Sequence, residues 1–345
     1  MKKRYKIFLA LLLLIFLAYW QGPRPVFEQV SSEIPTLSVS IDQIDSTIAA
    51  FESQFLNIKS ENESRIIWAD SVRKTPYSMV YLHGFSAGVM ESDPVHQTLA
   101  KKYGCNLYLA RLSHHGLSGD DAFEGLTPAA LMQSAAEAIA IGQIIGDQVI
   151  LISCSTGGTL SIFLTAHNPK AVAAQIMYSP NTAIDDPTAV LLNKPWGKEI
   201  TRAVIGDYRI GDTTKIGTPI ERYWTLTYRS EALIALQELL DQTMQDEVFE
   251  KITSPYFIGY YYKSDEESDH VISVPGILDF DIKTKTPDHL KRVLAFPNVG
   301  NHVMASDLQS KDIKSVIDET SLFIEEVLKI QRVRYDTLNL MEANL

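Results

Sequence analysis

The stretch Gln148–Leu160, QVILISCSTGGTL, sets a serine where a buried strand must turn sharply into a helix. A residue on such a turn adopts a strained backbone, and its side chain projects free of the sheet. The residues two before and two after must be small, and here they are Ser153 and Gly157. A glycine is more usual at the first of these places, but serine still meets the steric requirement. The chemistry this arrangement offers is nucleophilic attack by Ser155 on a carbonyl carbon, with the positive end of the following helix favouring the negative charge that develops. Taken alone, the segment also reads as an ordinary strand-to-helix turn rich in small residues. Ser153 is a poor nucleophile, because Leu151 and Ser155 would flank it. Cys154 should point back into the packing as an inert thiol, and Cys105 reads as a small core residue.

A serine hydroxyl reacts only when a histidine removes its proton and a carboxylate orients that histidine. Among eight histidines, His302 follows the last strand in a Pro297–His302 loop, on the same sheet edge as Ser155. His289 precedes that strand, at the opposite edge, and His167 ends a helix away from the turn. The acid should follow the strand Tyr256–Tyr262, where Asp265, Glu266, Glu267 and Asp269 compete. Asp269 is preferred because the apolar pair Val271 and Ile272 would anchor it, with Asp265 the alternative; the other acids read as a solvated loop. Acyl transfer also needs two backbone N–H groups for the oxyanion. Thr156 supplies one. The loop His83-Gly84-Phe85-Ser86 supplies the other, from Phe85, with Gly84 permitting close backbone approach. His83, beside this turn, reads as a structural hydrogen-bonding residue. The chain order Ser155, Asp269, His302 is that of one known architecture.

These residues need an α/β scaffold to meet. Short apolar runs at Arg65–Ala69, Met79–His83, Asn106–Leu112, Gln148–Ser153, Ala174–Tyr178, Tyr256–Tyr262 and Arg292–Phe296 predict strands. Several are almost wholly apolar, the pattern of parallel strands buried on both faces. Helical stretches at Pro94–Tyr103, Pro128–Ile145, Gly158–Ala166 and Ser306–Ile330 separate them, so helices should lie on both sides of the sheet. The long insertion at about 181–250, with Tyr223, Trp196, Trp224 and a helix near Ser230–Met244, should cap the carboxyl edge. Ile41, Ile44, Ile48, Phe51 and Phe55 form one helical stripe, with Ser40 and Gln43 as a possible capping box.

The chain has 345 residues, enough for one large domain or two modest ones, in which 31 basic residues meet 42 acidic ones. Four of the basic residues lie among the first six, so the rest carries 27 against 42. An acidic body of this kind excludes broad nucleic-acid binding. Two cysteines exclude a disulfide scaffold and a multi-cysteine zinc site. Residues 1–20 combine basic residues with the uncharged run Ile7–Trp20, which predicts a signal anchor or transmembrane segment holding the body outside the cytoplasm. Cleavage to a secreted or periplasmic form is the alternative. Residues 21–39 read as a tether, 40–331 as the catalytic domain and 332–345 as a tail.

The motifs LHGFSAG at 82–88, RLSHHG at 111–116, SCSTGG at 153–158, SDHVIS at 268–273 and GNH at 300–302 resemble those of α/β-hydrolase-fold serine hydrolases. The group meant is the broad one of monoacylglycerol lipases, carboxylesterases and serine aminopeptidase-like enzymes, and the resemblance covers roughly residues 65–330. It implies a mostly parallel eight-stranded sheet, a cap, no cofactor and no metal. It also implies that His115 steadies its loop, although His114 stands where a glycine is common. The expected substrate is a small-molecule ester or acyl compound. Short-peptide or aminoacyl hydrolysis and acyl transfer are sibling readings, and a non-catalytic membrane-tethered binding protein is the reading from another class. Dehalogenase or epoxide hydrolase chemistry would need a carboxylate at position 155.

Overall fold

The alternation of side chains along the central strands explains why both faces of the sheet are covered. In the computed structural model, which describes residues 2–119 and 121–333, Val80 and Leu82 point into one hydrophobic layer while Met79 and Tyr81 point into the other. Val149 and Leu151 alternate in the same way with Ile150, Ile152 and Cys154. Each fully buried aliphatic side chain contributes about 1.5–3 kcal/mol of transfer free energy, set against the entropy of ordering it.

The strands are β1 (Arg65–Ile67), β2 (Thr75–Leu82), β3 (Asn106–Leu109), β4 (Gly146–Cys154), β5 (Ala174–Tyr178), β6 (Tyr208–Ile210), β7 (Thr227–Arg229), β8 (Tyr256–Tyr260) and β9 (Lys291–Ala295). Seven of them form one sheet in the order β1-β3-β2-β4-β5-β8-β9, antiparallel only where β1 meets β3. Every strand expected from the sequence is present. The sheet has seven strands among the described residues instead of the implied eight. Residues 53–64 form turns, with an isolated bridge from Ile58 to Leu117, and add no strand outside β1.

The helices are α1 (Lys2–Trp20), α2 (Ile44–Glu52), α3 (Val95–Tyr103), α4 (Pro128–Ile145), α5 (Thr156–His167), α6 (Gly197–Val204), α7 (Pro219–Tyr223), α8 (Glu231–Thr243), α9 (Asp246–Phe249), α10 (Val274–Lys283) and α11 (Ile313–Glu326). One layer carries Leu131 and Ile139 of α4 with Leu160 of α5. The other carries Leu99 of α3 with Val316 and Phe323 of α11. The last helix starts later than the sequence suggests, because Asp312 caps it by accepting from the Ser315 N–H at 3.2 Å. Ser40 does not form the expected capping box; its hydroxyl donates to the Gln43 side chain at 3.2 Å.

Within the insertion, β6 and β7 pair as a short antiparallel ribbon beside α6 and α7. Helix α8 leaves the cap and joins the main layer, burying Ala235 and Leu239.

The transmembrane segment expected at 1–20 is not found: among the described residues no helix is long and apolar enough to cross a membrane. Helix α1 carries its basic residues in its first turns, and its apolar part, Ile7–Trp20, spans only about 21 Å against a hydrocarbon core of about 30 Å. Met1, and 334–345 of the expected tail, lie outside the described residues. The segment read as a tether lies along the domain. Val30, Ile34, Leu37 and Val39 pack on its core, the Val30 N–H donates to Gln242 Oε1 at 2.9 Å, and Asn168 donates to the Ser32 carbonyl at 2.7 Å.

Candidate active site

The register of the sheet brings the working loops to one edge. Leu82 of β2 pairs with Ser153 of β4, and Cys154 with Tyr178 of β5, so the chain leaves all three strands side by side. Ser155 lies between β4 and α5 with φ 51° and ψ −119°, a conformation rare for a residue with a Cβ. Its N–H donates to the Tyr178 carbonyl at 3.1 Å, and its own carbonyl accepts from Gly158 N–H at 2.8 Å. These bonds fix the turn. A Cβ on Gly157 would stand 2.0 Å from the Leu82 carbonyl oxygen, so the small residue after the serine is a steric necessity. Cys154 faces the opposite layer, where burial raises its thiol well above the ordinary range, and burial pushes Cys105 up to about 12.

Asp269 and His302 meet over the same edge. His302 Nδ1 stands 2.6 Å from Asp269 Oδ2. The other carboxylate oxygen accepts from the Val271 N–H at 2.9 Å and the Ile272 N–H at 3.3 Å. The apolar pair after Asp269 thus returns its own amides to the carboxylate. Asp265 is on the exposed part of the loop, accepting from the Tyr262 hydroxyl at 2.8 Å. Burial works against the charge on Asp269, but His302 and the two amides outweigh it and hold the carboxyl below the usual carboxylate range. Burial likewise pulls the His302 imidazole down, and Asp269, followed by Glu91, more than restores it to above 6.5.

Ser155, Asp269 and His302 line one cavity of about 1280 Å³, to which the insertion adds Leu192 and Ile200 together with the charged Asp186, Arg209, Asp212 and Lys215, and α8 adds Leu236. No hydrogen bond joins the Ser155 hydroxyl to the His302 ring in this conformation, a contact that commonly tightens only when substrate binds.

The loop after β2 is braced from both sides. Gly84 N–H donates to Glu91 Oε2 at 2.5 Å, and Ser86 N–H donates to His115 Nε2 at 3.1 Å. Between them the Phe85 N–H has no partner among the described residues. The Thr156 N–H opens α5, where the first turn has no carbonyl of its own to bind. His83 Nε2 accepts from Leu112 N–H at 3.1 Å, so its Nδ1–H donates to the Gly84 carbonyl at 2.9 Å. His115 uses its Nδ1–H on the Ser113 carbonyl at 2.8 Å. Burial keeps both imidazoles neutral, lowering His83 to about 4 and His115 well below 6.5. Arg111 ties the loop after β3, which carries His115, to α2 through a buried pair with Glu52 at 2.7 Å and lies 4.3 Å over the Phe55 ring. Glu91 is the site residue that sequence reasoning does not single out, since nothing in its neighbours marks it. Among the described residues no group of three or more His, Cys, Asp or Glu side chains is disposed to hold a metal ion.

No family model matches the chain, and no curated protein matches it in sequence. Solved structures match it in fold. A structure of the metagenome-derived lipolytic enzymes LipS and LipT superposes with a TM-score of 0.60 at 14% identity, covering 78% of this chain and 99% of that one. The monoacylglycerol lipase of Paleococcus ferrophilus gives 0.54 at 13% identity, with 76% and 98% covered. Est1E from Butyrivibrio proteoclasticus with ferulic acid bound gives 0.51 at 16% identity, with 77% and 95% covered. The chain has the α/β-hydrolase fold.

Proposed function

We propose that the protein is a serine hydrolase that cleaves carboxylic esters of small molecules. The observation that carries this reading is the Asp269–His302 pair, held at 2.6 Å over the cavity that the strained Ser155 turn also lines. Ser155 Oγ attacks the ester carbonyl carbon while His302 Nε2 takes its proton. The tetrahedral oxyanion meets the N–H groups of Phe85 and Thr156. Collapse breaks the bond to the alcohol, which leaves with the proton from His302. Water, deprotonated by the same ring, then attacks the acyl-enzyme and releases the acid. Asp269 fixes the tautomer that leaves Nε2 free. His83 and His115, neutral and fully engaged with backbone, support the loop and take no part in proton transfer. Apolar cap residues such as Leu192 and Ile200 suit an acyl chain, beside a charged part of the lining formed by Asp186, Arg209, Asp212 and Lys215, and the lipolytic and esterase activities named for the structural neighbours agree with that chemistry.

The test is a panel of p-nitrophenyl esters with short, medium and long acyl chains, run beside aminoacyl p-nitroanilides. The expected result is turnover of esters, with kcat/KM for the best ester above that of every anilide by about 100-fold or more, the scale of a distinct transition-state fit. An anilide cleaved faster than every ester would replace ester hydrolysis with amide hydrolysis at the same site.

A further inference from the structure

Glu91 is buried to 2% exposure on the short turn Val89–Ser92, directly after the loop that carries Phe85. Its Oε2 accepts from the Gly84 N–H at 2.5 Å and from the Tyr81 hydroxyl at 3.1 Å. The Cys154 thiol also faces it. A Cβ built on Gly84 would lie 2.7 Å from Glu91 Oε1 and 3.0 Å from the Ser155 Cβ, so the carboxyl and the nucleophile's side chain flank the same bare side of Gly84. The carboxyl lines the active-site cavity.

A buried carboxylate is costly unless a positive charge or a set of donors compensates it. Three donors reach Glu91, and the basic group whose charge it meets is His302. That ring is neutral before reaction and positive once it holds the serine proton. The attraction therefore grows as the transition state forms, which is the condition for an interaction to raise the rate.

We propose that Glu91 is a positioning residue: through Gly84 it fixes the loop that presents the Phe85 N–H to the oxyanion, and its carboxylate supports the imidazolium that His302 becomes. This rests on the Ser155–Asp269–His302 reading. The groups facing Glu91 are Tyr81 from β2, Cys154 from β4 and His302 from the loop after β9, with Asp269 behind the ring and His96 edge-on to Tyr81. Burial raises the Glu91 carboxyl above its ordinary value, opposed by Gly84 N–H and His302, so its support for His302 operates once the pH exceeds that raised value. Removing the charge should lower the proton affinity of His302.

The experiment measures the rate of covalent labelling by a fluorophosphonate between about pH 5 and pH 9 for wild type, E91Q and S155A. Near-ultraviolet circular dichroism reports the fold of each. For E91Q the expected result is labelling slowed about tenfold on the plateau, with the acid limb moved to lower pH by about half a unit or more. A folded E91Q that labels at the wild-type rate overturns the proposal. So does one that labels slowly with an unmoved limb, since that is a packing effect alone. If E91Q does not fold, Y81F carries the test. It keeps the ring beside His96 but removes a donor, so Glu91 protonates more readily and both effects should appear in smaller measure; no change in either overturns the proposal. S155A separates the two levels. If S155A labels like wild type, the nucleophile reading itself fails. If S155A is silent while E91Q matches wild type, the Glu91 proposal alone fails.

Discussion

Replacing His302 with alanine is expected to lower kcat on an activated ester by about 10⁴-fold or more and to leave KM within about threefold. In the proposed mechanism the ring contributes in the transition state, where it holds the serine proton, and little to substrate binding. The loss should therefore fall on kcat. The fold should survive, because the Asp269 carboxylate that loses the ring still accepts from the Val271 and Ile272 N–H groups. The wild-type pH profile supplies a companion measurement. The base must be neutral to act, so activity falls as the pH drops through the pKa of His302. Asp269 and Glu91 hold that pKa above 6.5, and the acid limb should lie above 6.5 accordingly. In H302A this limb should vanish. Undiminished turnover in a folded H302A protein would remove the ring from the mechanism.

Replacing Gly157 with alanine should have an effect of comparable size on the site and a large one on the fold. The added carbon would stand 2.0 Å from the Leu82 oxygen, 2.6 Å from the Leu82 carbonyl carbon and 2.9 Å from the His83 oxygen. All three atoms are backbone and belong to the end of β2 and its loop, which cannot yield as a flexible side chain would. The start of α5 must move away from β2. That motion takes the Ser155 turn and the Thr156 N–H with it. A cost of about 3 kcal/mol or more is expected, with Tm lower by roughly 4 °C or more. Fluorophosphonate labelling should be lost even at temperatures where the variant is folded. Thermal unfolding followed by circular dichroism, with labelling measured in parallel, checks both parts. A G157A protein with wild-type Tm and labelling would mean that the close approach of α5 to β2 is not what shapes the turn.

The parts of this arrangement that depend on local pattern are legible in the chain. Runs such as Val149–Ile152 announce buried parallel strands, because only strands covered on both faces can be apolar at every position. Ser155 stands out because the small residues around it answer a steric demand of the turn itself. Asp269 separates from Asp265 on the strength of Val271 and Ile272, whose amides are the groups that bind its carboxylate. What cannot be read is what tertiary contact decides. Residues 21–39 carry prolines and form no helix or strand, yet Val30, Ile34 and Leu37 pack on the domain's core, a contact that local pattern does not announce. Helix α7 is too short to show a stripe, and it begins at a proline that local pattern reads as loop. Among the described residues the sheet lacks the implied eighth strand, and the chain between α2 and β1 forms turns and one isolated bridge. Glu91 looks like any acidic loop residue until the fold brings Gly84 and His302 to it.

The central claim is that the hydroxyl of Ser155 is the activated nucleophile of the site, and the most direct measurement locates a covalent adduct. Wild-type protein treated with a fluorophosphonate should gain the mass of one phosphonyl group, and peptide mapping should place it on Ser155. S155A should gain none under the same conditions. An adduct on a different residue, or a Ser155→Ala protein that labels as fast as wild type, would contradict the account.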